Sequence, residues 1–270
     1  MIVEAHCKLG QFHEAETLLE EQLGPSAARP WTPAQLKSFK ALQSAVQAYS
    51  GRWREAAPGL IALATNSMAD VRDWSGGAAA ALASGDTNAY VSLYRLGRAR
   101  FAGNAEAETA YAHFLGLILH PQEEDLLLTI PDLLHRVEEG KDYHWTAASL
   151  LFLTSQLAYR KGEHEDALRS LDIWDKSQDE RPVNVLALYY LRAGALPDFW
   201  RAMILAKLDR REGARKAYDD GIRKLHAGFP SDWELSYSVM TFYSSHTLRR
   251  EAREVLRSHG IAVPDTETTP

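Results

Sequence analysis

Apolar and small residues return at helical spacing along most of the chain, in pairs of segments separated by a single turn residue. In residues 205–222, LAKLDRREGARKAYDDGI, the set Leu205, Leu208, Ala214, Tyr218 and Ile222 carries that spacing, and charged residues fill the positions between. Three other stretches follow the same plan: AHCKLGQFHEAETLLEEQL (5–23), AYSGRWREAAPGLIAL (48–63) and AYRKGEHEDALRSLDIW (158–174). With Gly10, Gly51, Gly162 and Asp209 aligned as turn residues, Ala15, Ala56, Ala167 and Ala214 stand five positions on. Leu19, Leu60, Leu171 and Tyr218 stand four beyond those. A glycine just past a helix end takes the left-handed cap conformation without side-chain cost, so the chain reverses at once. Two antiparallel helices approach most closely beside their turn, which calls for Ala. A turn later they diverge, and Leu or Tyr fills the gap.

The plan therefore predicts a repeated αα-hairpin. Tyr90, Leu93, Tyr94 and Gly97, then Ala107, Ala110, Tyr111, Phe114, Leu115 and Ile118, carry the helical period through the residues between the clear copies. The expected fold is all-α, about seven degenerate antiparallel helix pairs stacked into a right-handed superhelical solenoid over residues 1–260. An N-terminal subrepeat over 1–24 and a linker, GPSAARPWTP (24–33), are expected within it. DKSQDERPVN (175–184) reads as a second linker, and 261–270 as a flexible tail. Only about nine residues precede Gly10, where a full helix has about fourteen. Either an incomplete first repeat or an excised C-terminal part of a longer protein is expected.

This spacing resembles the tetratricopeptide repeat, best at 199–222, where Ala202, the turn, Ala214, Tyr218 and Ile222 fall in order. The departures are Asp209 at the turn glycine, the absence of a proline after most second helices, and marker alanines 41 and 47 residues apart against about 34 in that family. The order GDTNAY…ARF, ETAYAHFLGLIL, then two hairpins is similar to the C-terminal repeat region of planctomycete-type bacterial serine/threonine protein kinases, over roughly residues 45–260. That resemblance implies a non-catalytic interaction region of a signalling protein. The sequence carries no His-Arg-Asp loop, no Asp-Phe-Gly and no phosphate-binding glycine loop; Gly76-Gly77 runs into alanines instead.

Composition narrows the reading further. A net charge of −6 opposes nonspecific binding to nucleic acid or anionic membranes. One cysteine, Cys7, excludes an internal disulfide and fits a reducing, cytoplasmic setting. There is no leader-like start and no long apolar run. Ten histidines invite a metal reading, but His6/His13 and His113/His120 are seven apart and split by a turn or helix end. His13-Glu14 and His164-Glu165 lack the second histidine a zinc helix needs. No metal site and no cofactor are expected. Asp219-Asp220 diverge on one helix, and Glu123, Glu124 and Asp125 suit a helix start.

The expected function is binding of a protein or peptide segment in a concave groove, without catalysis. Lys8, Arg160 and Lys207 stand two residues before their turns, where they could clamp a peptide carboxylate, with Tyr49 and Gln156 adding polar contacts. Dipole compensation at helix C-termini explains the same three cations. The rival readings are an enzyme with acids such as Asp86, Asp142 or Asp219 gathered in a pocket, and an RNA-binding solenoid with a continuous basic stripe.

Overall fold

The computed structural model describes residues 6, 11–23, 31–66, 69, 71–101, 144–179, 195–226 and 235–264. Among them every regular element is a helix, so the described part of the chain is all-α. The helices are α1 (Phe12–Leu23), α2 (Pro33–Tyr49), α3 (Trp53–Ala64), α4 (Val71–Ser84) and α5 (Thr87–Phe101), then α6 (His144–Arg160), α7 (His164–Asp179), α8 (Leu196–Lys207), α9 (Arg211–His226) and α10 (Leu235–Ser258). The chain divides into two compact units, Met1–Arg100 with Gly228–Tyr243, and Phe101–Ala227 with Ser244–Thr269. In the first, α1 packs on α2, α2 on α3 and α3 on α4; in the second, α6 packs on α7, α7 on α8 and α8 on α9. Among the described residues no helix is long and apolar enough to cross a membrane.

One backbone device closes the hairpins. Gly51 lies at φ +75°; its amide donates to the Ala48 carbonyl at 3.0 Å, and the next amide, Arg52, donates to Gln47 at 2.9 Å. These are the two bonds of a Schellman cap. The same pair recurs around Gly85, Gly162 and Gly260, and around Asp209, which takes φ 54° in place of glycine. Gly10 lies outside the described residues, but Gln11 donates to His6 at 2.9 Å in the matching register. At four of these reversals the residue completing the cap starts the next helix. The carbonyls of Arg52, Asp86, Glu163 and Arg210 accept from the amides of Ala56, Tyr90, Ala167 and Ala214. The marker alanine is thus the first residue to donate an i→i−4 bond into its helix.

That placement explains the alanines. Ala15, Ala56, Ala167 and Ala214 are wholly buried, as are Leu19 and Leu171, with Leu60 and Tyr218 nearly so. In the α6–α7 hairpin Ser155 Oγ donates to the Ala167 carbonyl at 2.7 Å, a bond that a bulkier residue at 167 would push apart. The reversal at Gly85 departs from the pattern, with buried Tyr90 at the alanine position. Large side chains then fill the layers: Trp74, Trp174 and Trp200 are buried. Phe152 meets Trp174 at 5.6 Å and Phe199 meets Tyr218 at 5.5 Å. Each such burial stabilises by roughly 1.5–3 kcal/mol. The side chains of Trp145 and Trp233 lie outside the described set.

Parts of both segments read as linkers lie among the described residues. In 24–33, residues 24–30 are outside the described set, but Trp31 and Thr32 are anchored. Trp31 Nε1 donates to the Gln22 carbonyl at 2.8 Å and its ring meets Phe39 at 4.5 Å. Thr32 and Gln35 form a capping box ahead of Pro33, the sequence signal for a helix start. In 175–184, Asp175–Asp179 continue α7, because Asp175 is held by Arg201 at 2.6 Å. The tail begins with order: Ile261 is buried, its amide donates to Leu256 at 2.9 Å, and Arg215 donates to the Ala262 carbonyl.

Three glycines inside helices mark where backbones come closest. A Cβ on Gly77 would lie 2.6 Å from Ala64 Cβ and 3.1 Å from the Leu60 carbonyl, so α3 and α4 meet there through small residues. On Gly59 it would meet Ser44 Oγ at 1.9 Å, and on Gly221 it would meet the Phe199 ring at 2.8 Å.

Two predictions follow from this geometry. No atom lies within 4 Å of the Cβ position at Gly162, so Gly162→Ala carries only the left-handed backbone cost, a loss of about 1 kcal/mol. Asp209→Gly gains up to about 1 kcal/mol. Urea unfolding with an unchanged m-value reads both. Within α9, Gly221→Ala drives into a rigid ring and loses about 1–3 kcal/mol. Gly213→Ala faces only the flexible end of Leu205 at 3.3 Å and gains up to about 1 kcal/mol of helix propensity. Thermal melts of the two variants, moving in opposite directions, check the assignment of close contacts.

Candidate functional site

The five residues expected to line a ligand site are distributed as follows. Lys8 lies outside the described residues. Tyr49, the last residue of α2, is 4% exposed and stacks on Phe12 at 5.6 Å and 11°, within a core of Ala45, Ala48, Ala56, Ala57, Leu60 and Ala80. Gln156 is 5% exposed. Both present almost no surface to a ligand. Arg160 and Lys207 close α6 and α8 as their final residues, where their charges complement the helix dipoles.

Arg160 and Lys207 both lie at the turn end of the second unit, around an aromatic centre. Tyr159 meets Trp200 at 5.0 Å, edge-on, and His164 at 5.4 Å. The Arg160 guanidinium lies 6.0 Å from the Trp200 ring centre, near the outer limit of a cation–π contact. The same guanidinium is 3.3 Å from the Glu251 carboxylate of α10. A second pair, Arg210 to Glu165 at 2.7 Å, ties the α8–α9 turn to α7. Lys207 is exposed and lies near enough to His164 to disfavour its protonation. His259, at the end of α10, adds to that repulsion and is itself held by the Val255 carbonyl at 2.9 Å.

Titration in this cluster follows from burial. Tyr159 is pushed up to about 12, chiefly by desolvation, with Glu251 adding and Arg160 opposing; it is a neutral phenol at physiological pH. His164 is lowered, first by burial and then by Lys207 and His259. Its buried Nδ1 has no hydrogen-bond partner, so imidazolium formation would bury an N–H without an acceptor. Sequence reasoning set His164 aside as half a zinc motif and gave Trp200 no functional role. It missed Glu251 and His259 altogether, since no local signal links α10 to the α6 and α8 turns.

Two of the three carboxylates of the rival enzyme reading, Asp86 and Asp219, have partners. Asp86 Oδ1 caps α5 by accepting from the Ala89 amide at 2.9 Å. Asp219 pairs with Arg215 at 2.8 Å, and Asp142 lies outside the described residues. The acids that burial does push upward are Asp175 and Asp198. They belong to a charge clamp across α7, α8 and α9. Arg201 reaches Asp172 and Asp175, each at 2.6 Å, and Lys224 reaches Asp198 at 2.7 Å. Asp220 pairs with Arg223 alongside. Every acid of the row has a cation, which suits holding helices together rather than moving protons. Among the described residues no group of three or more His, Cys, Asp or Glu could hold a metal ion.

His164 contributes stability that depends on pH with a definite sign. Its folded pKa lies below the unfolded value, so its contribution to stability is complete above that value, about 6.5. The contribution is lost as pH falls through it. The wild-type melting temperature falls more between about pH 7 and pH 5 than that of His164→Phe; equal slopes would show that another group dominates. Compared with known proteins, the chain matches no family model, no curated protein and no solved structure.

Proposed function

We propose that the chain is a non-catalytic scaffold that binds a protein or peptide segment in the groove of a right-handed solenoid of tetratricopeptide-like helix pairs. The observation that carries this reading is the recurring hairpin: a left-handed turn residue, a shared cap and a buried alanine, with α1 to α4 packed in succession in one unit and α6 to α9 in the other. Stacked hairpins bury their apolar faces on neighbours and leave extended surface for recognition. A place in bacterial signalling, as the interaction region of a longer kinase-containing protein, rests on the resemblance in order and spacing alone. The enzyme reading draws nothing from Asp86 and Asp219, which serve a cap and an ion pair.

In the proposed groove, Lys207 is exposed, and Arg160 is exposed but shared with Glu251. Affinity capture with the intact chain, repeated after changing Lys8, Arg160 and Lys207 to Glu, tests the assignment. Capture of a defined segment should drop at least tenfold in the triple variant and several-fold for Lys207→Glu alone, which leaves the Arg160–Glu251 contact in place. Unchanged capture in well-folded variants would reduce the three cations to dipole compensation.

A further inference from the structure

Helix α5 differs in charge from the rest of the chain. Its sequence, TNAYVSLYRLGRARF, has three arginines and no carboxylate, in a chain where acids outnumber bases and the net charge is −6. Tyr90, Leu93 and Gly97 bury one face of it. The opposite stripe, Ser92, Arg95, Leu96 and Ala99, recurs at three and four residues and is exposed. Leu96 is 54% exposed, more than Leu36 or Ile173, the other large apolar residues exposed among the described residues.

The arginines on this helix divide by role. Arg100 donates to the Asn66 carbonyl at 3.1 Å, fixing the end of α5 to the residue just past α3. Arg95 and Arg98, one turn apart, are exposed and have no carboxylate partner among the described residues. Elsewhere arginine is commonly committed: Arg52 to Glu16 and Glu55, Arg201 to Asp172 and Asp175, Arg210 to Glu165, Arg215 to Asp219. A helix that sets the unpaired Arg95 beside an exposed leucine, with Arg98 one turn on from Arg95 at the edge of the same exposed face, has the form of half of a helix-to-helix contact. Such an edge accepts carboxylates while the apolar stripe is covered.

We infer that the outer face of α5 docks an acidic amphipathic helix of another protein, its carboxylates on Arg95 and Arg98 and its apolar stripe on Leu96 and Ala99. Charge complementarity selects this occupant. Two free arginines on a chain of net negative charge hold too few phosphates for nucleic acid, whose affinity grows with each one neutralised. The exposed Leu96 contributes only to a partner with apolar surface of its own. This inference rests on reading the chain as a protein-binding scaffold, but uses a surface separate from Arg160 and Lys207.

The test uses the full chain and two fluorescent fifteen-residue peptides of one helical pattern, apolar along one stripe and either all Glu or all Lys elsewhere. The Glu peptide should bind and weaken as salt rises, and the Lys peptide should not. Arg95→Glu/Arg98→Glu should cut Glu-peptide affinity at least tenfold and Leu96→Ser several-fold. All three positions are exposed, so the melting temperature should hold. Lys207→Glu should leave this binding unchanged while weakening groove capture, which separates failure of the α5 site from failure of the groove reading. Equal binding of both peptides, or affinity unmoved by the α5 variants, overturns the inference. So does a single-stranded oligonucleotide that outcompetes the Glu peptide, or self-association of the chain that the α5 variants abolish.

Discussion

Two hydrogen bonds across a left-handed residue set the geometry on which the rest of this chain depends. The amide after the turn residue reaches back five positions while its carbonyl already serves the next helix. Since one residue is both the end of a cap and the start of a helix, the rotational phase of the second helix is set by the first. A phase fixed in this way lets a single residue five positions on, small after Gly51, Gly162 and Asp209, face the partner helix. Ala56, Ala167 and Ala214 are wholly buried for that reason. Side-chain packing then fills a space that the backbone has already defined.

The hairpins were legible in the sequence because their determinants are local. Glycine or Asp at the turn, Ala at the fifth position and a large residue at the ninth are separated by fewer than a dozen residues, and each has one physical cause. Asp209 could be placed by alignment although it is not glycine, and its positive φ follows. Asp and Asn tolerate that region better than most side chains. The contacts of Gly59, Gly77 and Gly221 were not legible. Their partners, Ser44, Ala64 and Phe199, sit on other helices, and a helical glycine alone does not say which neighbour presses on it.

The candidate site shows where register stops being informative. Tyr49, Arg160 and Lys207 each stand two residues before their turns, yet Tyr49 is core, Arg160 is shared between a ring and a carboxylate, and Lys207 is open to solvent. Position along a helix says nothing about what stands opposite. At Arg160 the opposing group comes from α10, ninety-one residues away in sequence. Gln156, with a place on the same helix, is buried in its own unit. Ion pairing follows the same rule: the α7–α8–α9 clamp joins acids whose neighbours in sequence gave no hint of burial.

The shared cap also bears on how the chain can change length. Removing or adding one residue at Gly51, Gly162 or Asp209 rotates the following helix by about 100° about its axis. Its alanine would then turn off the partner, and the residue beside it would take its place: Glu55 or Ala57, Asp166 or Leu168, Gly213 or Arg215. Substitution at these turns costs about one left-handed residue's worth of strain, whereas a change in residue number inverts which side of a helix is dry. Evolutionary insertions and deletions should therefore avoid these reversals even where their side chains vary freely, and the spacing from turn to alanine should outlast the residues that fill it.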